Sequence, residues 1–176
     1  YDDMIGAARA LNGTNAGVIA LMGTGGLAAY YNGEDIQSRR GGYGYLIDDL
    51  GGGLELGKSI LSAWLNGDLS SADVALEQAL KGNGPELVKS IYANNDLEML
   101  AMIPVYVKDV ADPALDGLIY DYFDLFIKRN VKPLCLEHQL DEFSIVGSIG
   151  EAFRVQINSI SETYELKVAQ CMKSPS

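Results

Sequence analysis

Gly17-Val18-Ile19-Ala20-Leu21-Met22-Gly23-Thr24-Gly25-Gly26 is the stretch on which the reading of this chain turns. An uncharged apolar run predicts a buried strand over residues 17 to 22, and the glycine-rich turn that ends it leaves backbone N–H groups bare. With the Thr24 hydroxyl as an added donor, such a turn suits a phosphate, because successive N–H groups form a concave anion cradle. Gly23, Thr24, Gly25 and Gly26 are therefore candidate ligand residues. Upstream, residues 3 to 12 predict a short helix with Asp3 near its N-cap and Asn12-Gly13 closing it. Downstream, residues 27 to 32 and 35 to 40 predict two further strands joined at Gly33-Glu34, completing an antiparallel meander.

Residues 41 to 53, Gly41-Gly42-Tyr43-Gly44-Tyr45-Leu46-Ile47-Asp48-Asp49-Leu50-Gly51-Gly52-Gly53, form a glycine-rich loop longer than a connector needs. From Leu54 to about Arg129 the pattern turns helical, with Leu56, Ile60, Leu61, Trp64 and Leu65 on one face and Leu97, Leu100, Ala101 and Val105 on a later one. Pro104 is expected to break or kink that later helix. Asp112-Pro113 opens a long amphipathic helix. The last third predicts a strand over 142 to 146, a turn at Gly147-Ser148, a helix from 149 to about 161 and a strand over 165 to 169, which is a βαβ unit. The fold class is α/β, one domain over 1–176, with a mixed sheet and a helical insertion at about 54–131. No internal repeat is visible.

The 176 residues carry 24 acids against 13 bases, a formal charge of −11. That balance repels nucleic acid and anionic membrane surfaces, and only Arg39-Arg40 and Lys128-Arg129 cluster weakly, so neither is expected as a partner. No apolar stretch reaches the roughly 18 residues of a membrane span, and no export signal is seen. Cys135 and Cys171, far apart and in apolar settings, read as reduced thiols of a cytoplasmic protein. His138 lacks a second histidine at metal spacing and reads as a surface residue, so no protein metal site is predicted. Tyr30, Tyr31, Tyr43 and Tyr45 read mostly as half-buried packing. The start at Tyr1 and the ending Lys173-Ser174-Pro175-Ser176 read as a piece of a longer parent.

Asp3-Met4-Ile5-Gly6-Ala7-Ala8-Arg9-Ala10-Leu11, Gly23-Thr24-Gly25, Gly41-Gly42-Tyr43-Gly44, Asp49 with Gly51-Gly52-Gly53, and Val146-Gly147-Ser148-Ile149 follow one another in the order and spacing of the N-acetylglucosamine kinase family. The chain resembles that family, and the related benzoyl-CoA reductase activator ATPases, over nearly its whole length. The resemblance implies a ribonuclease H-like C-terminal lobe of the two-lobed ATPases that include actin, hexokinase and Hsp70. It implies ATP with Mg²⁺ as cofactors and an amino sugar such as N-acetylglucosamine as acceptor. Asp3 would be the catalytic base that takes the proton of the attacking sugar hydroxyl, a form of help typically worth about 10²- to 10⁴-fold. Gly23, Thr24, Gly25 and Gly26 would hold the β- and γ-phosphates, and Gly147 and Ser148 the adenosine. Gly42, Tyr43 and Gly44 would lie beside the sugar, with Tyr43 as the stacking ring. Asp49 would bond a sugar hydroxyl or help hold Mg²⁺ through water.

The departures from that pattern are local. The family's Ser-Asn after Gly-Thr-Gly is here Gly26-Leu27, and its Asp-Glu-Gly-Ser-Gly is here Asp49-Leu50-Gly51-Gly52-Gly53. Its first phosphate loop, of the Asp-x-Gly-x-Thr type, occurs nowhere in the chain. The N-terminal lobe is therefore expected to be missing, and the isolated chain to phosphorylate nothing. A homodimer is a further expected partner type. Three rival readings stand beside this one. Gly52-Gly53-Leu54-Glu55-Leu56-Gly57-Lys58-Ser59 matches the Walker A pattern, but it follows the acidic Asp48-Asp49 instead of a buried parallel strand. An activator ATPase would need an iron–sulfur cysteine motif that Cys135 and Cys171 do not form. The third is a non-catalytic module that binds a nucleotide or sugar without turnover.

Overall fold

A computed structural model describes residues 2–173, with side chains from Met4 onward. Its centre is a five-stranded mixed sheet of β1 (Gly17–Met22), β2 (Gly26–Tyr31), β3 (Ile36–Gly41), β4 (Glu142–Val146) and β5 (Lys167–Met172), in the order β3-β2-β1-β4-β5. β1 pairs antiparallel with β2 and parallel with β4, and β4 pairs parallel with β5. The meander and the βαβ unit thus share β1 as the central strand, and β1 is apolar on both faces for that reason. Val18, Ala20 and Met22 point into the main core with Phe143 and Ile145, while Ile19 points the other way with Val146 and Tyr31.

One face of the sheet is covered by α1 (Asp2–Asn12), whose Ala7, Ala8 and Leu11 close the smaller cluster. The other carries the helices of the larger core: α2 (Gly53–Leu65), α3 (Asp73–Leu80), α4 (Gly84–Asn94), α5 (Leu97–Val107), α6 (Pro113–Phe126), α7 (Lys132–Glu137), α8 (Ser148–Ala152) and α9 (Arg154–Glu162). A single π-helical turn, Ile127–Val131, joins α6 to α7. Asp112 caps α6, its carboxylate accepting from the N–H groups of Ala114 and Leu115.

Four local expectations are corrected. Asn32 and Asp35 belong to the β2–β3 turn, because the Asn32 carboxamide oxygen accepts from the N–H groups of Glu34 and Asp35, so both strands shift by one residue. The predicted helix over 149 to 161 breaks at Phe153, which turns its ring fully into the core against Phe123. β5 starts two residues late because residues 163 to 166 close α9, with the Leu166 N–H reaching back to the Ser161 carbonyl and Glu165 at φ 60°.

Pro104 does not end its helix, since α5 runs on to Val107. A proline removes the N–H that would serve the carbonyl four residues back, here Leu100. That carbonyl faces Gly57 of α2, where even a Cβ would collide with it. The two irregular positions meet at the α2–α5 contact.

Candidate functional site

The sheet topology gathers the glycine motifs on one edge. β1 and β4 run parallel and end together, with Leu21 opposite Val146, so the turns that follow them are neighbours. β3 lies two antiparallel pairings away from β1 and therefore runs in the same direction, which brings Gly41 beside Leu27 and the Gly42-Tyr43-Gly44 turn to this same edge. Met4, in the first turn of α1, shares a surface pocket with Leu27. The helix backbone thus brings Asp3 to this region, while its side chain lies outside the described residues.

Gly147 is where the two parallel strand ends meet. Its backbone has φ +126°, and a Cβ there would strike the Met22 carbonyl and approach the Gly23 nitrogen to 2.8 Å. Only glycine meets both demands. Its N–H donates to the Met172 carbonyl at 2.9 Å, and Ser148 begins α8 immediately after it.

The Gly23–Gly26 turn interlocks with the loop before α2. Carbonyls of Gly23 and Thr24 accept the first N–H groups of α2, those of Gly53 and Leu54, at 2.7 and 3.0 Å. These bonds satisfy donors that a helix start otherwise leaves without partners. At Gly26 a side chain would collide with the Leu50 carbonyl and the Gly51–Gly52 backbone, and at Gly52 one would collide with Gly25. Two of the departures from the resembled pattern, Gly26 and Gly52, thus lie on the two sides of one backbone-to-backbone contact. Within the turn the Gly23 N–H donates to the Gly25 carbonyl at 3.1 Å and the Gly26 N–H faces Asp49 Oδ1 at 3.4 Å. The Thr24 and Gly25 N–H groups have no partner among the described residues, and Thr24 is exposed.

Asp49, read from sequence as a sugar or metal contact, stands against the phosphate turn: its carboxylate oxygens lie 2.8 and 2.9 Å from where a Cβ of Gly25 would be. Its own N–H donates to Glu55 at 3.2 Å. Tyr43 and Tyr45 are exposed, Tyr31 is buried with its hydroxyl on the Gly33 carbonyl, and Tyr30 stacks on His138 with ring centroids 3.4 Å apart. His138 is therefore half-buried packing and not a surface residue. The Walker A match is helical from Gly53 onward, and Lys58 Nζ donates to the Tyr45 carbonyl at 3.2 Å.

Two supports of the site carry no signal in the sequence. Tyr122, on α6 some seventy residues away, accepts from the Gly51 N–H at 2.9 Å and donates to the Gly52 carbonyl at 2.7 Å. Arg129 pairs with Asp48 at 2.8 Å and anchors the other end of the loop. Both depend on a helix packing across the loop, which no local pattern announces.

This chain superposes on a protein from Porphyromonas gingivalis provisionally described as an N-acetylglucosamine kinase, with TM-score 0.84 and 26% identity over 97% of this chain. It is built like part of a sugar kinase. A second protein with the same provisional description, from Chromobacterium violaceum, gives TM-score 0.72 at 19% identity over 99% of this chain. A ROK family glucokinase from Streptomyces griseus, solved in complex with glucose and AMPPNP, gives 0.55 at 11% over 97% of this chain. The chain spans 60, 60 and 59% of those three proteins, so it matches only part of each. No protein-family model matches the sequence, and no curated protein does. Among the described residues no helix is long and apolar enough to cross a membrane.

Proposed function

We propose that this chain is the C-terminal nucleotide-binding lobe of a sugar-kinase-like phosphotransferase, which transfers the γ-phosphoryl group of ATP to a hydroxyl of an amino sugar such as N-acetylglucosamine. The observation that carries this reading is the meeting of Gly147 with Met22 and Gly23, which sets two glycine-bearing strand ends side by side. A ligand bound across parallel strand ends can rest its phosphates on one turn and its nucleoside on the other. The AMPPNP-bound glucokinase with the same fold supports the choice of nucleotide.

The residues present fit such a ligand. At Gly147 the missing side chain lets the two strand ends close together, and in this reading the adenosine lies across them with Ser148 beside it. The Thr24 and Gly25 N–H groups and the Thr24 hydroxyl are the donors left for phosphate oxygens in the Gly23–Gly26 turn. Among the described residues no group of three or more His, Cys, Asp or Glu side chains could hold a metal. Mg²⁺ needs no such group, because one or two carboxylates, phosphate oxygens and water complete its shell, and Asp49 is the nearest carboxylate to the turn. Bound Mg²⁺-ATP supplies the activated phosphoryl group. In this reading Asp3 takes the proton of the sugar hydroxyl, and Gly42, Tyr43 and Gly44 border the sugar, with the Tyr43 ring available for stacking.

A non-catalytic binding module is the second reading, and Leu50 favours it. This residue is 2% exposed and belongs to the hydrophobic core, at the position where the resembled family carries a glutamate.

Calorimetry with AMPPNP tests the site. Weak binding is expected to the chain alone, lost in Gly147→Val and roughly ten-fold weaker in Thr24→Val. Indifference of AMPPNP binding to Gly147→Val would sink the proposal. ATP binding without sugar-dependent ADP release by a protein with both lobes would select the module.

A further inference from the structure

Edge strand β3 presents Ser38 and Arg40 on the same face as Tyr30 and Ala28, their partners on β2. Between this face and the turn from α6 to α7 lies a pocket of about 400 Å³, lined by Ser38, Arg40, Asp48, Arg129, Asn130 and Glu137 among others. None of Gly23–Gly26, Gly147 or Ser148 lines it.

Two buried polar groups in this pocket have no partner. Asn130 is 2% exposed and its side-chain amide nitrogen makes no hydrogen bond, and the Ser38 hydroxyl is likewise enclosed and unbonded. A buried donor without an acceptor is costly, and each such group in a native protein calls for an explanation. Asn130 sits on the π-helical turn Ile127–Val131, a device that adds one residue to a helix and re-aims its side chains, often at functional sites. Opposite it stands Gly41 at φ +77°, where a Cβ would lie 2.7 Å from the Asn130 amide nitrogen. Asn130 and Gly41 both line the pocket.

The charge around these groups is unusual for a chain of formal charge −11. Arg40 has no ion-pair partner among the described residues, and Arg129 spends one nitrogen on Asp48 while its side chain stays 53% exposed. Glu137 is the opposing charge at the rim and Asp48 is neutralised by its pair. Guanidinium forks with a neutral amide and a hydroxyl at the base form a donor-rich set, which matches the oxygens of a phosphate.

We propose that this pocket is a second ligand site, which takes the phosphate group of a small molecule through Arg40, Arg129, Asn130 and Ser38. It lies against a face of the sheet and reaches the end of β3 at Gly41 and Tyr43, but it touches none of the residues proposed to hold the nucleotide and does not depend on the nucleotide reading. Inorganic phosphate and a hexose 6-phosphate share the recognised chemistry.

Nuclear magnetic resonance of the isotope-labelled protein tests it, with inorganic phosphate and glucose 6-phosphate as probes. The Asn130 side-chain amide and the Arg40 and Arg129 guanidinium signals should shift with at least one probe. A shift with glucose 6-phosphate alone identifies an organic phosphate, and one with both identifies the phosphate group as sufficient. Arg40→Gln, at an exposed position that folding does not need, should weaken binding roughly ten-fold, and Asn130→Asp should abolish it by adding a carboxylate. Unmoved Asn130 signals at tens of millimolar probe, or binding indifferent to Arg40→Gln, would overturn the site. Shifts confined to Gly23–Gly26 would also overturn it while leaving the nucleotide edge intact. Failure of AMPPNP to shift Gly147 would count against the proposed function alone.

Discussion

Tyr122 shows how much of the candidate site rests on single side chains far away in sequence. Its hydroxyl bonds both Gly51 and Gly52, the segment against which Gly25 and Gly26 pack. Tyr122→Phe leaves a buried N–H and carbonyl without that partner and should cost about 1–3 kcal/mol, read by urea denaturation. Burial, opposed by the Gly51 N–H and reinforced by nearby Glu55, Asp49 and Asp48, pushes the phenol far above its ordinary pKa of 10.0. The folded state therefore keeps a proton that the unfolded state gives up, so this contribution is whole below pH 10 and drains away as pH rises beyond it. The alkaline loss of stability should be shallower in Tyr122→Phe than in the wild type. An equal slope in both would remove Tyr122 as its source. The two thiols make the opposite point, since burial pushes Cys135 up to about 12 and also raises Cys171, and both are free.

At the scale of elements, the α2–α5 contact sets a proline inside one helix against a glycine of the other. Pro104 strips the Leu100 carbonyl of its helical partner, and Gly57 brings the bare backbone of α2 against that carbonyl. Gly57→Ala should push the helices apart and cost about 1–3 kcal/mol by overpacking, seen as a lower Tm. An unchanged Tm would mean that the helices part freely. Element boundaries with a local cause were legible from sequence: β1, β4 and the Asp112-Pro113 start of α6 depend on side chains within a few residues. Those at Phe153 and Lys167, and the continuation of α5 through Pro104, were not. Each answers to a contact from elsewhere, whether a ring turned into the core, a turn that closes α9, or a facing helix.

For the whole molecule, the edge that gathers Gly23–Gly26, Gly42–Gly44 and Gly147 is one side of the cleft in the proposed function. A ligand held from one side leaves much of its surface in water. Protein that includes the part of the sugar-kinase-like relatives not matched by this chain should bind AMPPNP at least roughly ten-fold tighter in calorimetry. Equal affinity with and without it would argue that this chain holds the complete nucleotide site. By itself the sequence determined the α/β class, the strand and glycine-turn at Gly17–Gly26, and the turn at Gly147-Ser148, because strand periodicity and glycine-bearing turns are properties of neighbouring residues. Only the tertiary structure decided that Gly147 meets Gly23, that the Gly25–Gly26 and Gly51–Gly52 backbones pack too closely for side chains at Gly26 and Gly52, and that Asn130 and Arg40 line one pocket. Those facts follow from strand order and from helices crossing loops, where residues a hundred positions apart compete for the same few ångströms.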